Sequence, residues 1–422
     1  MAHKETWRRD FPVLVMDADV LGAVGVIRSL GRSGYPVHAC STREDALGLL
    51  SKFSHARTIC PEYHTSAFLG WLRQYVARHG IRAIVPTEGL LLALRPVWLE
   101  FCELLPFSHD AGILYAGMSK YDQHSTFVNG RAGSGHLPPT IVLDNPTDLS
   151  SAPDFEALGS PLYVKVDASY SKFGEDGWVH RSASAEAARK ELERRGHRFH
   201  KALVQGHVPG KGVGAFFLMW QGQVLAEFMH IRLHEVPHTG GVSSFRASWR
   251  HSGIRQDALT KLRLMQWDGI AMMEYRWDPA SDEFYFMEMN GRFWGSLHLS
   301  IYAGVDFPRL LLDTFFGKPA AAPPKYPLGL RCRMTFPFDV QYVWSRWKDR
   351  GLGLRSRLWS VLEFVLLSAD PRVRSDLLFP GDRGLYWESL KRFLKDFLKV
   401  SYERSRRKTA EVSENVRHLR NF

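Results

Sequence analysis

The sequence predicts a mixed α/β and α+β architecture: an N-terminal α/β domain with a parallel sheet over residues 1–115, an α+β region over 116–320, and a helical, basic C-terminal region over 321–422. Three observations lead there. Before residue 115, apolar runs alternate with helical patterns, which implies parallel strands joined by crossover helices. From 160 to 290 the strands come as hairpin-like pairs instead. After a Pro/Ala stretch at 317–327 the composition turns basic: residues 341–422 hold 18 Lys and Arg against 10 Asp and Glu, whereas the rest of the chain holds 37 against 34.

The N-terminal elements follow in order. "FPVLVMD" (11–17) reads as a buried strand, "VLGAVGVIRSLGRSGY" as a helix ending near Gly34, and "PVHAC" as a second strand. "TSAFLGWLRQYVARHG" is a helix and "IRAIVPT" a strand. Gly22 and Gly25 do not form a GxGxxG fingerprint. They read as helix-packing glycines, with substrate contact left open.

The second region opens on a helical start at "GMSKYDQHSTFV" (117–128), followed by an edge strand, "PPTIVL". "SPLYVKVDASYSKFGEDGWVHRS" reads as strand, loop, strand. A charged helix capped by Ser184 comes next, with Glu186 and Glu191 ahead of basic residues. "KALVQGHVPGKGVGAFFLMWQGQVLAEFMHIRL" alternates strands and turns, "RQDALTKLRLMQW" is a helix, and "GIAMMEYRW"–"DPASDE"–"FYFMEMN" is a hairpin. In the tail, Trp387, Leu390, Leu394, Phe397 and Leu398 fall on one helical stripe, expected to pack on the body. The other reading is a surface helix meeting a protein or the inner face of a membrane.

Composition narrows the function. With 45% hydrophobic and 23% charged residues the chain reads as a folded soluble protein. The four cysteines form no CxxC pair, so neither a zinc site nor a disulfide framework is expected, and a cytoplasmic setting is. The N-terminus carries no secretory pattern. No apolar run reaches the roughly 18 residues of a spanning helix. "LWSVLEFVLLSA" (358–369) comes nearest, and Glu363 interrupts it. The positive charge sits in the tail without a binding motif, so nucleic acid is not an expected partner.

The hairpin carries the chemistry. A turn near residue 281 sets Glu274 opposite Glu288, and Asn290 lies on the same strand face as Glu288. Facing carboxylates in an apolar sheet repel and are poorly solvated, so a cation belongs between them. Two carboxylates and an amide oxygen suit a hard ion that keeps waters and phosphate oxygens, such as Mg²⁺. The alternative is an exposed face with screened acids. Lys165, mid-strand in an apolar context and followed by a Ser/Gly loop containing Ser171, calls for an anion. Lys120 stands at a helix start, where phosphate is favoured. Together these point to nucleoside triphosphate chemistry.

At these residues the chain resembles the ATP-grasp ligases, nearest the carbamoyl-phosphate-synthetase-like carboxylate–amine ligases, with biotin carboxylase more distant. The resemblance runs from about 117 to 315 and is carried by "EYRWDPASDEFYFMEMNGRFWGSLHLSIYAGVDFP", "RLHEVPHTGGVSSFRAS" and "VQGHVPGKGVGAFFLMWQGQ". It implies two α+β lobes gripping ATP behind the N-terminal domain. Glu274, Glu288 and Asn290 would hold Mg²⁺, with Mn²⁺ as a substitute; Lys120 and Lys165 would meet phosphates. Gln205, Gly206 and Val208 would meet adenine, and Arg292 the transferring phosphoryl group. Arg232, with Glu235 and the Gly240–Gly241–Ser243 turn, would shape the acceptor side. The implied reaction joins a carboxylate to an amine, or a thiol, through an acyl-phosphate, releasing ADP and phosphate. Partners would be small-molecule acids and amines, and a homodimer is left open. The alternatives are a carboxylating enzyme like biotin carboxylase and an ATP-binding scaffold without turnover. Gly291 stands where the family pattern has Pro, which predicts a looser backbone beside Arg292.

Overall fold

A computed structural model describes residues 6–107, 110–130, 133–149, 154–174, 176–318 and 325–399. Much of the expected Pro/Ala linker and the end of the tail helix lie outside these residues.

Strands β1 (Val13–Val15), β2 (Val37–Ser41), β3 (Ala56–Ile59) and β4 (Ala83–Val85) form a parallel sheet in the order β3-β2-β1-β4. β1, β2 and β4 are buried throughout, which is why they read as unbroken apolar runs. β3, absent from the sequence reading, is an edge strand whose residues alternate between half-buried and exposed. The chain leaves β1 for β2 and β3, then returns on the other side of β1 as β4. That reversal opens a crevice beyond the C-terminal ends of β1 and β4.

The next sheet also has four strands. β5 (Thr140–Leu143), β6 (Leu162–Val166), β7 (Trp178–Ser182) and β8 (Ala202–Gly206) are antiparallel in the order β5-β8-β6-β7. With the helix Ala185–Arg195 they enclose their own core around Leu162, Val164, Leu192 and Phe199. This is the first of the two expected lobes.

The second lobe is built on a seven-stranded sheet in the order β13-β12-β9-β10-β11-β14-β15. Its strands are β9 (Lys211–Trp220), β10 (Gln223–Val236), β11 (Val242–Ser248), β12 (Gly269–Trp277), β13 (Phe284–Asn290), β14 (Arg331–Arg333) and β15 (Val373–Ser375). β14 and β15 lie beyond residue 320, so the sheet crosses the boundary expected there.

The C-terminal region is also tied to the N-terminal domain by buried polar contacts. Arg28, fully buried in the helix Leu21–Ser33, donates to Asp382 (2.9 Å), to the carbonyl of Asp376 (2.7 Å) and to that of Leu377 (3.1 Å). Gly22 and Gly25 are closely packed, and Gly22 also lines the crevice beyond β1 and β4. A Cβ on Gly22 would stand 3.1 Å from the carbonyl oxygen of Trp294, and one on Gly25 would stand 3.0 Å from Leu297.

The tail helix, 384–399, corrects the expected orientation. It docks through Leu385, Tyr386 and Phe393, the last two against Phe336. Trp387, Leu394, Phe397 and Leu398, expected to pack on the body, are exposed instead.

Candidate active site

β12 and β13 pair so that Glu274 and Glu288 are register partners, as the turn position predicts. Asn290 sits beside them, its Nδ2 3.3 Å from Glu274 Oε1 and 3.3 Å from Glu288 Oε1. Rotating that amide by half a turn would offer its oxygen to the same point. Among the described residues no three or more His, Cys, Asp or Glu side chains cluster to hold a metal. Two carboxylates and one amide fit an ion that takes few protein ligands and draws the rest from water and phosphate.

Cations surround the two acids. Lys120 Nζ lies 3.1 Å from Glu288 Oε2 and 4.0 Å from Asp167. Glu288 raises the Lys120 pKa, with help from Asp167 and against burial. Burial pushes Glu288 upward, but Lys120 and Lys165 prevail and hold its carboxyl at about 2. On the other side, Arg232 donates to Glu274 Oε2 at 2.5 Å. Burial, aided by the Glu288 charge, still leaves the Glu274 pKa raised. The resemblance placed Arg232 on the acceptor side; the structure sets it directly against Glu274. Arg232 also donates to the carbonyl of Gly241 (2.9 Å), and Glu235 accepts from Arg276 at 3.1 Å. Gly212 on β9 makes the space for this network, since a Cβ there would meet Glu235 Oε1 and Arg232 Cδ.

Lys165 is buried on β6 and donates to Gln205 Oε1 at 2.6 Å, while Gln205 donates to Thr140 Oγ1 at 3.1 Å. Burial lowers the Lys165 pKa to about 8, against the pull of Glu288. An ammonium held this weakly gains from any further anion brought to it. Gly206 donates its N–H to the carbonyl of Pro139 at 2.8 Å, and Val208 is buried just beyond. Ser171 lies in the loop after β6, where its Oγ accepts from the N–H of Phe173 at 3.3 Å.

Several positioning residues escaped the sequence reading. Gln123 bridges the Lys120 helix to β13. Its Nε2 donates to the carbonyls of Gly117 (2.9 Å) and Met289 (3.0 Å), and its Oε1 accepts from Met289 N–H at 2.9 Å. Met289 lies between Glu288 and Asn290, so this one amide sets Lys120 against the acids. Asp167 accepts from Ser119 Oγ and Tyr121 N–H, both at 3.0 Å, and pins the same helix start to the first lobe. Nothing in the local sequence pattern marks either residue, because the contacts that tie them to the site span 46 or more residues.

Trp267 reverses the expectation for Gly291. Its buried indole lies 2.5 Å from where a Cβ of Gly291 would stand, and closer still to a Cβ on Gly117. Gly291 is tightly packed against that ring, not loose. Its lack of a side chain is what lets the ring fill the space between the Lys120 and Arg292 segments.

Arg292 leaves the acids and reaches the crevice of the parallel sheet, with Nε 3.7 Å from Glu88 Oε2. Here a cavity of about 340 Å³ is lined by Asp17, Val85, Thr87, Glu88, Arg292 and Phe293. Asp17, at φ +50°, accepts from Tyr63 Oη at 2.6 Å and from Thr87 Oγ1. Burial raises its pKa, and those two hydrogen bonds oppose the rise. Arg292 thus belongs to the cavity lining, while Glu274 and Glu288 are paired with Arg232 and Lys120.

No protein-family model and no curated protein sequence matches the chain. Solved structures do. The L-amino acid ligase from Bacillus licheniformis is similar at 14% identity over 73% of this chain and 74% of that one, with a TM-score of 0.55. N5-carboxyaminoimidazole ribonucleotide synthetase, as an ADP complex, is similar at 15% identity over 76% and 80%, with a TM-score of 0.57. Biotin carboxylase from Campylobacter jejuni, as a β-γ-ATP complex, is similar at 14% identity over 76% and 74%, with a TM-score of 0.56. At such identities the likeness is one of fold: the chain has the ATP-grasp fold of these ligases and carboxylases, as the motifs around Glu274 and Glu288 imply.

Proposed function

We propose that the protein is an ATP-dependent carboxylate–amine ligase working through an acyl-phosphate. The observation that carries this is the facing Glu274–Glu288 pair with Asn290, ringed by Lys120, Lys165 and Arg232, with Arg292 two residues beyond Asn290 lining a separate cavity. Magnesium ions held by Glu274, Glu288 and Asn290 would neutralise charge on the phosphates. Lys165 and Lys120 bind phosphate oxygens. Adenine lies at the β8 end, against Gln205 and the backbone of Gly206 and Val208.

The cavity takes the acceptors. A substrate carboxylate directed to Arg292 lies next to the γ-phosphate, so an oxygen of the acid attacks phosphorus and ADP leaves. The amine then attacks the acyl carbon, inorganic phosphate leaves, and the nitrogen loses a proton. Asp17 and Glu88 line the cavity as partners for an amine or ammonium. The chain's residues act by positioning and charge, and no covalent enzyme nucleophile is required.

An ADP-release screen of carboxylates crossed with amines, followed by mass analysis of products, tests the reading. ADP release should need Mg²⁺ and an acid. Glu288→Gln should lower it by at least about 100-fold, the scale expected when a group stabilising transition-state charge is lost. Unchanged turnover in that variant would sink the assignment.

A further inference from the structure

The helix Leu354–Ala369 is built inside out. Leu354, Leu358, Val361, Leu362, Val365 and Leu366 recur at helical spacing, yet each is between 42% and 65% exposed. Three polar groups of its middle turns face the protein. Ser360 is buried, Ser356 accepts from Arg346, and Glu363 reaches His234 Nε2 at 3.4 Å. Glu363, which interrupts the apolar run in sequence, thus leaves the outer stripe unbroken. The preceding helix, Val340–Lys348, packs against this one and adds exposed Trp344 and Trp347. Trp359 is exposed as well.

We propose that this helical hairpin docks the protein on an anionic phospholipid surface, lying in the interface with its apolar stripe among the acyl chains. Contiguous exposed apolar surface on this scale marks an interaction site in a soluble chain. Tryptophans beside an aliphatic stripe and a basic rim are the composition of an interfacial helix. Lys348, Arg350 and Arg355 are exposed at the turn between the two helices. Among the described residues no helix is long and apolar enough to cross a membrane, so the hairpin lies on the surface and does not span it. A second copy could cover the apolar stripe, whereas an anionic phospholipid surface also meets the basic rim beside it. The chain's own last residues fit less well: 400–422 hold six basic residues against three acidic ones, suited to the same anionic surface and not to an apolar stripe.

Flotation of the full chain with vesicles tests this. The protein should float with phosphatidylglycerol–phosphatidylcholine vesicles and remain at the bottom with phosphatidylcholine alone. Leu358→Glu with Leu362→Glu should cut the bound fraction at least tenfold while ADP release and thermal melting stay unchanged. If the double substitution unfolds the chain, Val365→Glu alone should still lower binding severalfold. Failure of the wild-type chain to float with the anionic vesicles would overturn the proposal. So would a doubled hydrodynamic mass that the Leu358→Glu/Leu362→Glu variant restores to a monomer, which would assign the face to a second copy.

Discussion

Lys165 shows how a single side chain registers the site's electrostatics. Burial brings its pKa down to about 8, whereas an unfolded lysine titrates near 10.5. Between those values the unfolded chain holds a proton that the folded chain has released, so this residue's contribution to stability rises with pH across that window. Nucleotide affinity should move the other way. Phosphate favours the ammonium, so ATP binding should weaken as pH climbs through about 8, by up to about tenfold per unit where one proton is taken up on binding. Lys165→Met should bind weakly and lose the pH dependence, which calorimetry over pH 7 to 10 would show. A wild-type affinity that is flat across this range would mean Lys165 does not face the phosphates. At this scale Lys165, Glu288 and Glu274 were legible in the sequence, because a charge inside an apolar strand pattern announces a partner. Gln123 and Asp167 were not. Their partners are backbone groups of Met289 and Tyr121, which no local pattern reveals.

Between elements, the contact that positions the site is the wedge of Trp267 between Gly117 and Gly291. The ring fills the space where the helix Ala111–Met118, just before Lys120, approaches the end of β13, and its Nε1 donates to the carbonyl of Ile270 at 3.0 Å. Gly291→Ala should force the ring or the strand end to move, destabilising the fold by about 1–3 kcal/mol, the usual result of overpacking a core. Turnover should fall further than stability does, because Arg292 follows directly. A thermal melt paired with ADP release separates the two effects, and an unshifted melting temperature would contradict the wedge. The sequence shows a glycine in place of proline and suggests slack. The opposite holds, because the ring that fills the space lies on another strand's approach. The same limit explains β3 and the tail helix. An edge strand with mixed burial carries little periodic signal, and an apolar stripe tells which residues share a face, not whether that face points inward.

Over the whole molecule, the ATP-grasp lobes are not a unit to which the C-terminal region is merely appended. β14 and β15 complete the large sheet, and Arg246, fully buried on β11, pairs with Asp376. Asp382 accepts from Arg28, from Ser51 Oγ at 2.8 Å and from Lys52 N–H at 3.1 Å, holding the N-terminal domain to the C-terminal chain. Asp382→Ala leaves Arg28 buried without its carboxylate and should cost about 3–5 kcal/mol, read as a lower denaturant midpoint. This arrangement matters for function because the cavity lies between the parallel sheet and Arg292, so its walls come from two parts of the chain. The α/β alternation and the hairpin pairing made both halves legible. The seam was not, because its charges are spread over more than 300 residues. Glu274, Glu288 and Asn290 are proposed to form a magnesium–nucleotide site, and titration calorimetry of ATP against the full chain, with Mg²⁺ and with EDTA, tests this most directly. Binding should be at least tenfold tighter with Mg²⁺, and Glu274→Gln/Glu288→Gln should erase that difference while the fold persists. ATP affinity indifferent to Mg²⁺, or a magnesium effect that survives the double substitution, would contradict it.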